Sequence, residues 1–295
     1  MVAKVDLNKT YNPNTKYGRN RIEEQEAYRA YLAAFAAPKE SDAEIAARIE
    51  ERFDILEYMT QEAIEGNIRG LVVYGPAGLG KSYSVETALT SWDPEEINHT
   101  IVKGFSTKTG LYKTLYQYRH AGQVIVFDDC DSIFFDDVAL SMLKAVCDTT
   151  ERRKVCYNSE AVLRDENGDA LPQSFKFEAT IIFITNVDFD AEIEKGKKLA
   201  PHLAAMVSRS HYVDLAMKTR RDYLVRIKQV IEQGLLNNKN LTEQQLQDVC
   251  DFIDTNSEML RELSLRVAIK IADVRRGNRP NWEAIAKVTC CKNAA

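Results

Sequence analysis

GPAGLGKS, residues 75–82, follows the apolar run LVVYG (71–75) and opens the helical stretch KSYSVETAL (81–89). It matches G-x-x-x-x-G-K-[ST] at every position, between a strand and a helix, where that pattern has a physical meaning. Glycines let backbone N–H groups turn inward around phosphate oxygens, and the helix amino terminus adds favourable dipole charge. Lys81 is placed to neutralise the β and γ phosphates, and Ser82 to offer its hydroxyl to magnesium. By chance such a string arises in roughly one chain in a hundred of this length, before strand and helix are demanded around it. Gly75, Pro76, Ala77, Gly78, Leu79, Gly80, Lys81 and Ser82 are therefore the expected nucleotide-binding residues, with ATP and Mg2+ as the expected ligands.

Outward from this loop the chain alternates. LVVYG, HTIVKG (99–104), QVIVF (123–127), TIIFIT (180–185) and HYVDL (211–215) are short apolar runs separated by helical segments. That alternation predicts an α/β fold with a mostly parallel sheet covered on both faces. After residue 215 the strands stop, and RDYLVRIKQVIEQGLL, LTEQQLQDVCDFI, LSLRVAIKIADV and NWEAIAKV all read as helices. Three segments are expected: an arm and helix over 1–43, the α/β core over 44–215, and an all-α lid over 216–295. Ile22, Tyr28, Leu32 and Phe35 recur at helical spacing in the first. Ser41 and Glu44 form a capping box for the helix whose face carries Ile45, Ile49, Phe53, Leu56 and Ile64.

VIVFDD (124–129) ends a second apolar strand in acid, about fifty residues after the loop. In phosphate-loop enzymes an aspartate at that place holds magnesium. Asp128 fits, so Ser82 and Asp128 are the expected metal ligands. Asp131 reads as a cap for the next helix.

In order and spacing, GPAGLGKS, VIVFDD, IIFITN, SRS and LSLR resemble the AAA+ ATPases over about residues 44 to 275, and the look of the chain is that of a compact phage- or bacteria-type ATPase. The resemblance implies a P-loop NTPase core of AAA+ type with a helical lid. It implies that Asn186 is the sensor 1 residue touching the attacking water or the γ-phosphate. Arg209 would be an arginine finger reaching a neighbouring subunit's ATP. Arg266 would be the sensor 2 residue from the same chain, with Arg261 as the alternative. Asp129 stands where the family more often carries the glutamate that positions water. A displacement of about 1 Å can cost roughly a hundredfold in rate. Either the backbone compensates, or hydrolysis is slow, or Asp129 is a structural acid; the presence of the other residues favours compensation.

Two stretches bear on the target. Between about 152 and 179, Val155 and Tyr157 alternate opposite Phe175 and Phe177, with turn chemistry at Asn167-Gly168. A hairpin there resembles the insertion before sensor 1 of AAA+ helicases, unfoldases and MoxR-type remodellers. Its tip, Arg164 with Asp165, Glu166 and Asp169, is too acidic to clamp DNA; Arg152, Arg153 and Lys154 at its base suit phosphates better or form a solvated end. In 103–120, Lys103, Lys108, Lys113 and Arg119 interleave with Phe105, Tyr112, Tyr116 and Tyr118, a pattern that tracks a single strand or forms an amphipathic helix.

The formal net charge of -5 gives no overall basic footprint, which argues against a passive DNA-coating protein. No run is long enough to span a bilayer, and the polar start MVAKVDLNKTYNPNTKYGRNR has no signal-peptide core. Six cysteines without a CxxC pair suit free thiols and a cytoplasmic protein. The whole reading is an ATP-hydrolysing homo-oligomeric ring, expected to be a hexamer, acting on nucleic acid in replication or recombination. The alternatives are a remodeller of protein partners and a slowly hydrolysing scaffold.

Overall fold

The computed structural model describes residues 9–36, 40–158, 162–165, 167–277 and 279–292, without the side chains of 28–36. The helical face expected from Tyr28, Leu32 and Phe35, and Glu166 of the hairpin tip, lie outside the described residues. Two compact units divide between Ile45 and Ala46. In the first, helix α1 (Lys16–Ala36) begins where the Thr15 hydroxyl accepts the Gly18 N–H at 3.0 Å.

Helix α2 (Asp42–Ile64) starts at the expected capping box. Glu44 N–H donates to Ser41 Oγ at 3.2 Å, and Ser41 N–H to the Glu44 carboxylate at 2.7 Å. Ile49, Phe53, Leu56 and Ile64 are buried along one stripe, as their spacing predicts.

Five strands form one parallel sheet: β1 (Gly70–Tyr74), β2 (His99–Lys103), β3 (Val124–Asp128), β6 (Thr180–Thr185) and β7 (His211–Asp214), in the order β2-β3-β6-β1-β7. Every residue of β3 and β6 is buried, which is why these segments read as unbroken apolar runs. Helices α3 (Lys81–Trp92), α4 (Lys108–Gln117), α5 (Asp137–Val146), α6 (Phe189–Glu194) and α7 (Ala200–Val207) connect the strands. From β1 the chain crosses to the far edge at β2 and returns through β3 to place β6 beside β1. The phosphate loop therefore leaves β1 at a point where strand order reverses, the crevice in which such sheets bind ligands.

The insertion is a hairpin of β4 (Lys154–Cys156) and β5 (Ser174–Lys176), with Val155 opposite Phe175 and a further bridge between Arg164 and Ala170. Asp165 Oδ1 accepts the N–H groups of Asn167 and Asp169, closing the tip. Its base is built into the main core. Val155, Phe175 and Phe177 are buried, and Tyr112 of α4 packs 5.2 Å from Phe175 and donates its hydroxyl to the Pro172 carbonyl at 2.6 Å.

Four helices follow the sheet, as the sequence predicts: α8 (Arg220–Glu232), α9 (Glu243–Asn256), α10 (Leu265–Arg276) and α11 (Trp282–Cys290). Thr219 with Asp222 and Thr242 with Gln245 form capping boxes, and Ser264 caps α10. Ile227, Val249, Phe252, Val267 and Ile271 build a separate apolar core. No described helix is long and apolar enough to cross a membrane.

Candidate active site

Gly78 and Gly80 take φ of 75° and 101°, left-handed conformations that the loop needs and side chains resist. Gly80 also precedes α3, so the first N–H groups of that helix have no side-chain cap and face the loop. Lys81 is 5% exposed and spends its three donors on the Gly75 carbonyl (2.6 Å), the Pro76 carbonyl (2.8 Å) and Asn186 Oδ1 (3.0 Å). Burial lowers its pKa to about 8, against the pull of Asp129 and Asp128.

Asp128, the last residue of β3, is 6% exposed and accepts the Ser82 hydroxyl at 2.9 Å. Burial raises its pKa, and the Ser82 hydrogen bond opposes this. Two hard oxygens side by side fit magnesium, which takes one or two protein oxygens and completes its shell with phosphates and water. Among the described residues no group of three or more His, Cys, Asp or Glu side chains could hold a metal ion.

Asp129 takes φ of 53°, uncommon for a residue with a side chain and costing of order 1–3 kcal/mol. Its N–H is held by the Ile184 carbonyl at 3.0 Å, and its Oδ1 accepts Asn186 Nδ2 at 2.7 Å. The pairing of β3 with β6 thus joins residues 57 positions apart, and the amide of Asn186 bridges Lys81 and Asp129. Asp131 is not a helix cap. It accepts the Thr185 hydroxyl at 2.5 Å, tying the end of β6 to the acidic turn, and Asp136 caps α5 instead by accepting the N–H groups of Val138 and Ala139.

The C-terminal helices border the other side. Leu265 N–H donates to the Gly78 carbonyl at 2.8 Å, and a Cβ on Gly78 would lie 3.7 Å from Arg266 Cδ. A cavity of about 910 Å3 results, lined by Glu50, Phe53, Lys81, Asp129, Asn186, Arg226 and Arg266 among others. Arg266 is there and Arg261 is not; the Arg261 N–H donates to the Cys290 carbonyl. Arg209 also lies outside this lining. It follows α7, where its guanidinium donates to the Ala205 carbonyl at 3.0 Å.

The sequence pattern does not single out Arg226. Asp222, Arg226, Gln229 and Gln233 recur at helical spacing and read as a solvated stripe, yet Arg226 is 7% exposed with its guanidinium carbon 3.6 Å from the Phe53 ring centre.

The interleaved basic and aromatic stretch is mostly engaged within the protein. Tyr112 is buried, Tyr116 packs 5.3 Å from Phe175, and Arg119 lies over Tyr116 at 3.9 Å. Lys103 pairs with Glu86 at 2.5 Å. Lys108 and Lys113 stay exposed on α4, and Phe105 is 74% exposed. The hairpin packing has taken the tyrosines. At the hairpin base Arg153 is buried, donating to the carbonyls of Val146 and Ala179, so it is neither a phosphate contact nor a solvated end.

Over 250 residues the chain is 38% identical to an uncharacterized 36.7 kDa protein of the nrdC–mobD intergenic region of Enterobacteria phage T4, covering 84% of this chain and 76% of the relative. The chain belongs to the family of that phage protein. No family model matches it. Among solved structures it is similar to a RuvB mutant from Thermotoga maritima (11% identity, TM-score 0.45, 82% of this chain and 68% of that one). It is similar too to NtrX from Brucella abortus in complex with ATP (13% identity, TM-score 0.44, 89% of this chain); the chain spans 59% of NtrX. Its fold is an α/β one with a parallel sheet, the phosphate loop at the end of β1, β6 set between β1 and β3, and all-α C-terminal helices against the loop.

Proposed function

We propose that this protein binds ATP with Mg2+ in the 75–82 loop and hydrolyses it as an AAA+ motor. The observation that carries the reading is convergence: Lys81, Asp129, Asn186 and Arg266 line one cavity, and Asp128 lies behind Ser82 at its floor. The loop amides and Lys81 bind the phosphates. Ser82 and Asp128 would hold magnesium, which supplies charge neutralisation on the phosphate oxygens. Asp129 accepts from water and aims it, with Asn186 fixing the carboxylate, and the left-handed backbone at Asp129 supports compensation for the shorter side chain. Arg266 contacts the γ-phosphate from the lid, so loss of that phosphate loosens lid from loop.

Arg209, outside its own chain's cavity, acts on the ATP of a neighbour. That head-to-tail contact is heterologous, and closing it gives a ring, with a hexamer as the expected size. The six free cysteines suit the reducing cytoplasm. The polymer passing through the ring is nucleic acid, engaged by Lys108 and Lys113 beside Phe105, while Lys103 and Arg119 already have partners within the chain. Protein remodelling is the second reading, favoured by the acidic hairpin tip and by the tyrosines being packed inside. The test is specific ATPase rate against protein concentration, with and without single-stranded DNA. A cooperative rise stimulated by DNA supports the motor on nucleic acid. A rise indifferent to DNA moves the target to protein, and no turnover at any concentration removes the hydrolytic reading.

A further inference from the structure

Arg226 is a cation of the lid buried against the loop of the core. Its Nη1 donates to Gln229 Oε1 at 3.0 Å, while its Nε is buried and has no hydrogen-bond partner among the described residues. Guanidinium carries five donors in a fixed fork, and leaving a buried one dry is costly. Glu50, a carboxylate on the same cavity, is held instead by Gln229 at 3.3 Å and Gln233 at 3.5 Å. Burial lowers the Arg226 pKa to about 10, with the nearby Glu50 carboxylate opposing the shift. A methionine or leucine would cover Phe53 without these costs. The residue is placed as though an anion completes it.

The position says which anion. A Cβ on Gly80 would lie 3.8 Å from Arg226 Nη2 and 4.0 Å from Phe53 Cε1. The guanidinium is thus sandwiched between the Phe53 face and the loop at the amino terminus of α3. In loops of this type the backbone cradles the α and β phosphates there, and the lysine reaches toward β and γ. Arg266 meets the loop at Gly78 instead, where a Cβ would lie 3.7 Å from its Cδ. The two lid arginines therefore approach the loop at different glycines.

We propose that Arg226 is a second lid cation, binding the α/β end of the nucleotide in its diphosphate and triphosphate forms alike. Lid closure then registers that the site is occupied, and Arg266 registers the γ-phosphate. This rests on the nucleotide reading above.

The experiment is calorimetric titration of the full chain with Mg-ADP and with Mg-ATPγS, comparing the parent, Arg226→Met and Arg266→Ala. Arg226→Met is expected to lose about 10- to 100-fold in affinity for both nucleotides equally, as for a charged hydrogen bond removed. Its nucleotide-free melting temperature should stay at or above the parent's, because methionine keeps the packing on Phe53. Arg266→Ala should weaken ATPγS more than ADP. If Arg226→Met does not fold, Arg226→Lys takes its place in the titration, since it keeps the charge but not the planar fork; a loss shared by both nucleotides is again expected. Binding within twofold of the parent, or a loss confined to ATPγS, overturns the assignment of Arg226. A parent that binds neither nucleotide overturns the nucleotide reading itself.

Discussion

Replacing Lys81 by methionine should make the nucleotide-free protein more stable while abolishing its response to nucleotide. The ammonium is 5% exposed, and its pKa falls from 10.5 to about 8, chiefly through burial. At 1.36 kcal/mol per unit, the folded state disfavours charged Lys81 by about 3 kcal/mol at pH 7. Methionine removes that penalty at similar length. It also strips donors from the Gly75 and Pro76 carbonyls; Gly75 is buried, and a buried acceptor left unpaired costs about 1–3 kcal/mol. The net gain should be at most about 2 kcal/mol, measured by urea unfolding without nucleotide. The sign with pH follows. Between about 8 and 10.5 the unfolded chain holds a proton that folded Lys81 has released, so parent stability rises with pH in that window. By pH 9.5 about half of the Lys81 penalty is gone, so the variant should lose about 2 kcal/mol relative to the parent. Added Mg-ATP should raise the melting temperature of the parent and not that of the variant. A variant less stable than the parent at pH 7, or a difference indifferent to pH, would show that Lys81 is not held under strain.

Three further outcomes follow from the same geometry. Asp129→Asn should keep the fold, because asparagine tolerates left-handed backbone, and should lower turnover by at least about a hundredfold while ATP stays bound; single-turnover kinetics and nucleotide retention check it. Arg209→Ala should bind ATP like the parent and lose about 10³-fold in turnover, and mixing it with an Asp129→Asn chain should restore part of the activity if the finger acts between chains. Gly78→Ala should cost about 2–3 kcal/mol in urea unfolding, since its left-handed φ alone costs about 1–2 kcal/mol and its Cβ would lie 2.8 Å from Ser264 Cβ. Because that contact joins loop to lid, Mg-ADP affinity should fall as well.

What the sequence discloses depends on how local the physics is. The phosphate loop, the capping box at Ser41 and the buried strands write themselves into adjacent residues, so their elements are legible within a residue or two of their observed ends. Asp128 follows from its place at the end of an apolar run. Asp131 does not. An acid before a helix reads as a cap, and only the arrival of Thr185 from a distant strand gives it another partner. The tyrosines of 103–120 mislead for a related reason: alternating lysines and aromatics look the same whether the rings face solvent or a hairpin contributed by residues 154–176. Arg226 is invisible because polar residues at helical spacing ordinarily mark a wet face. Its burial depends on α8 lying along α2, where Gln229 reaches the Ala46 carbonyl and Glu50, an arrangement fixed across more than 170 residues of chain.

The most direct measurement is equilibrium binding of ATP to the purified full chain, with and without magnesium, beside Lys81→Met. One nucleotide per chain, bound more tightly with magnesium and lost in the variant, is the predicted result. Absence of binding by the parent at millimolar Mg-ATP, or equal binding by parent and variant, would contradict it.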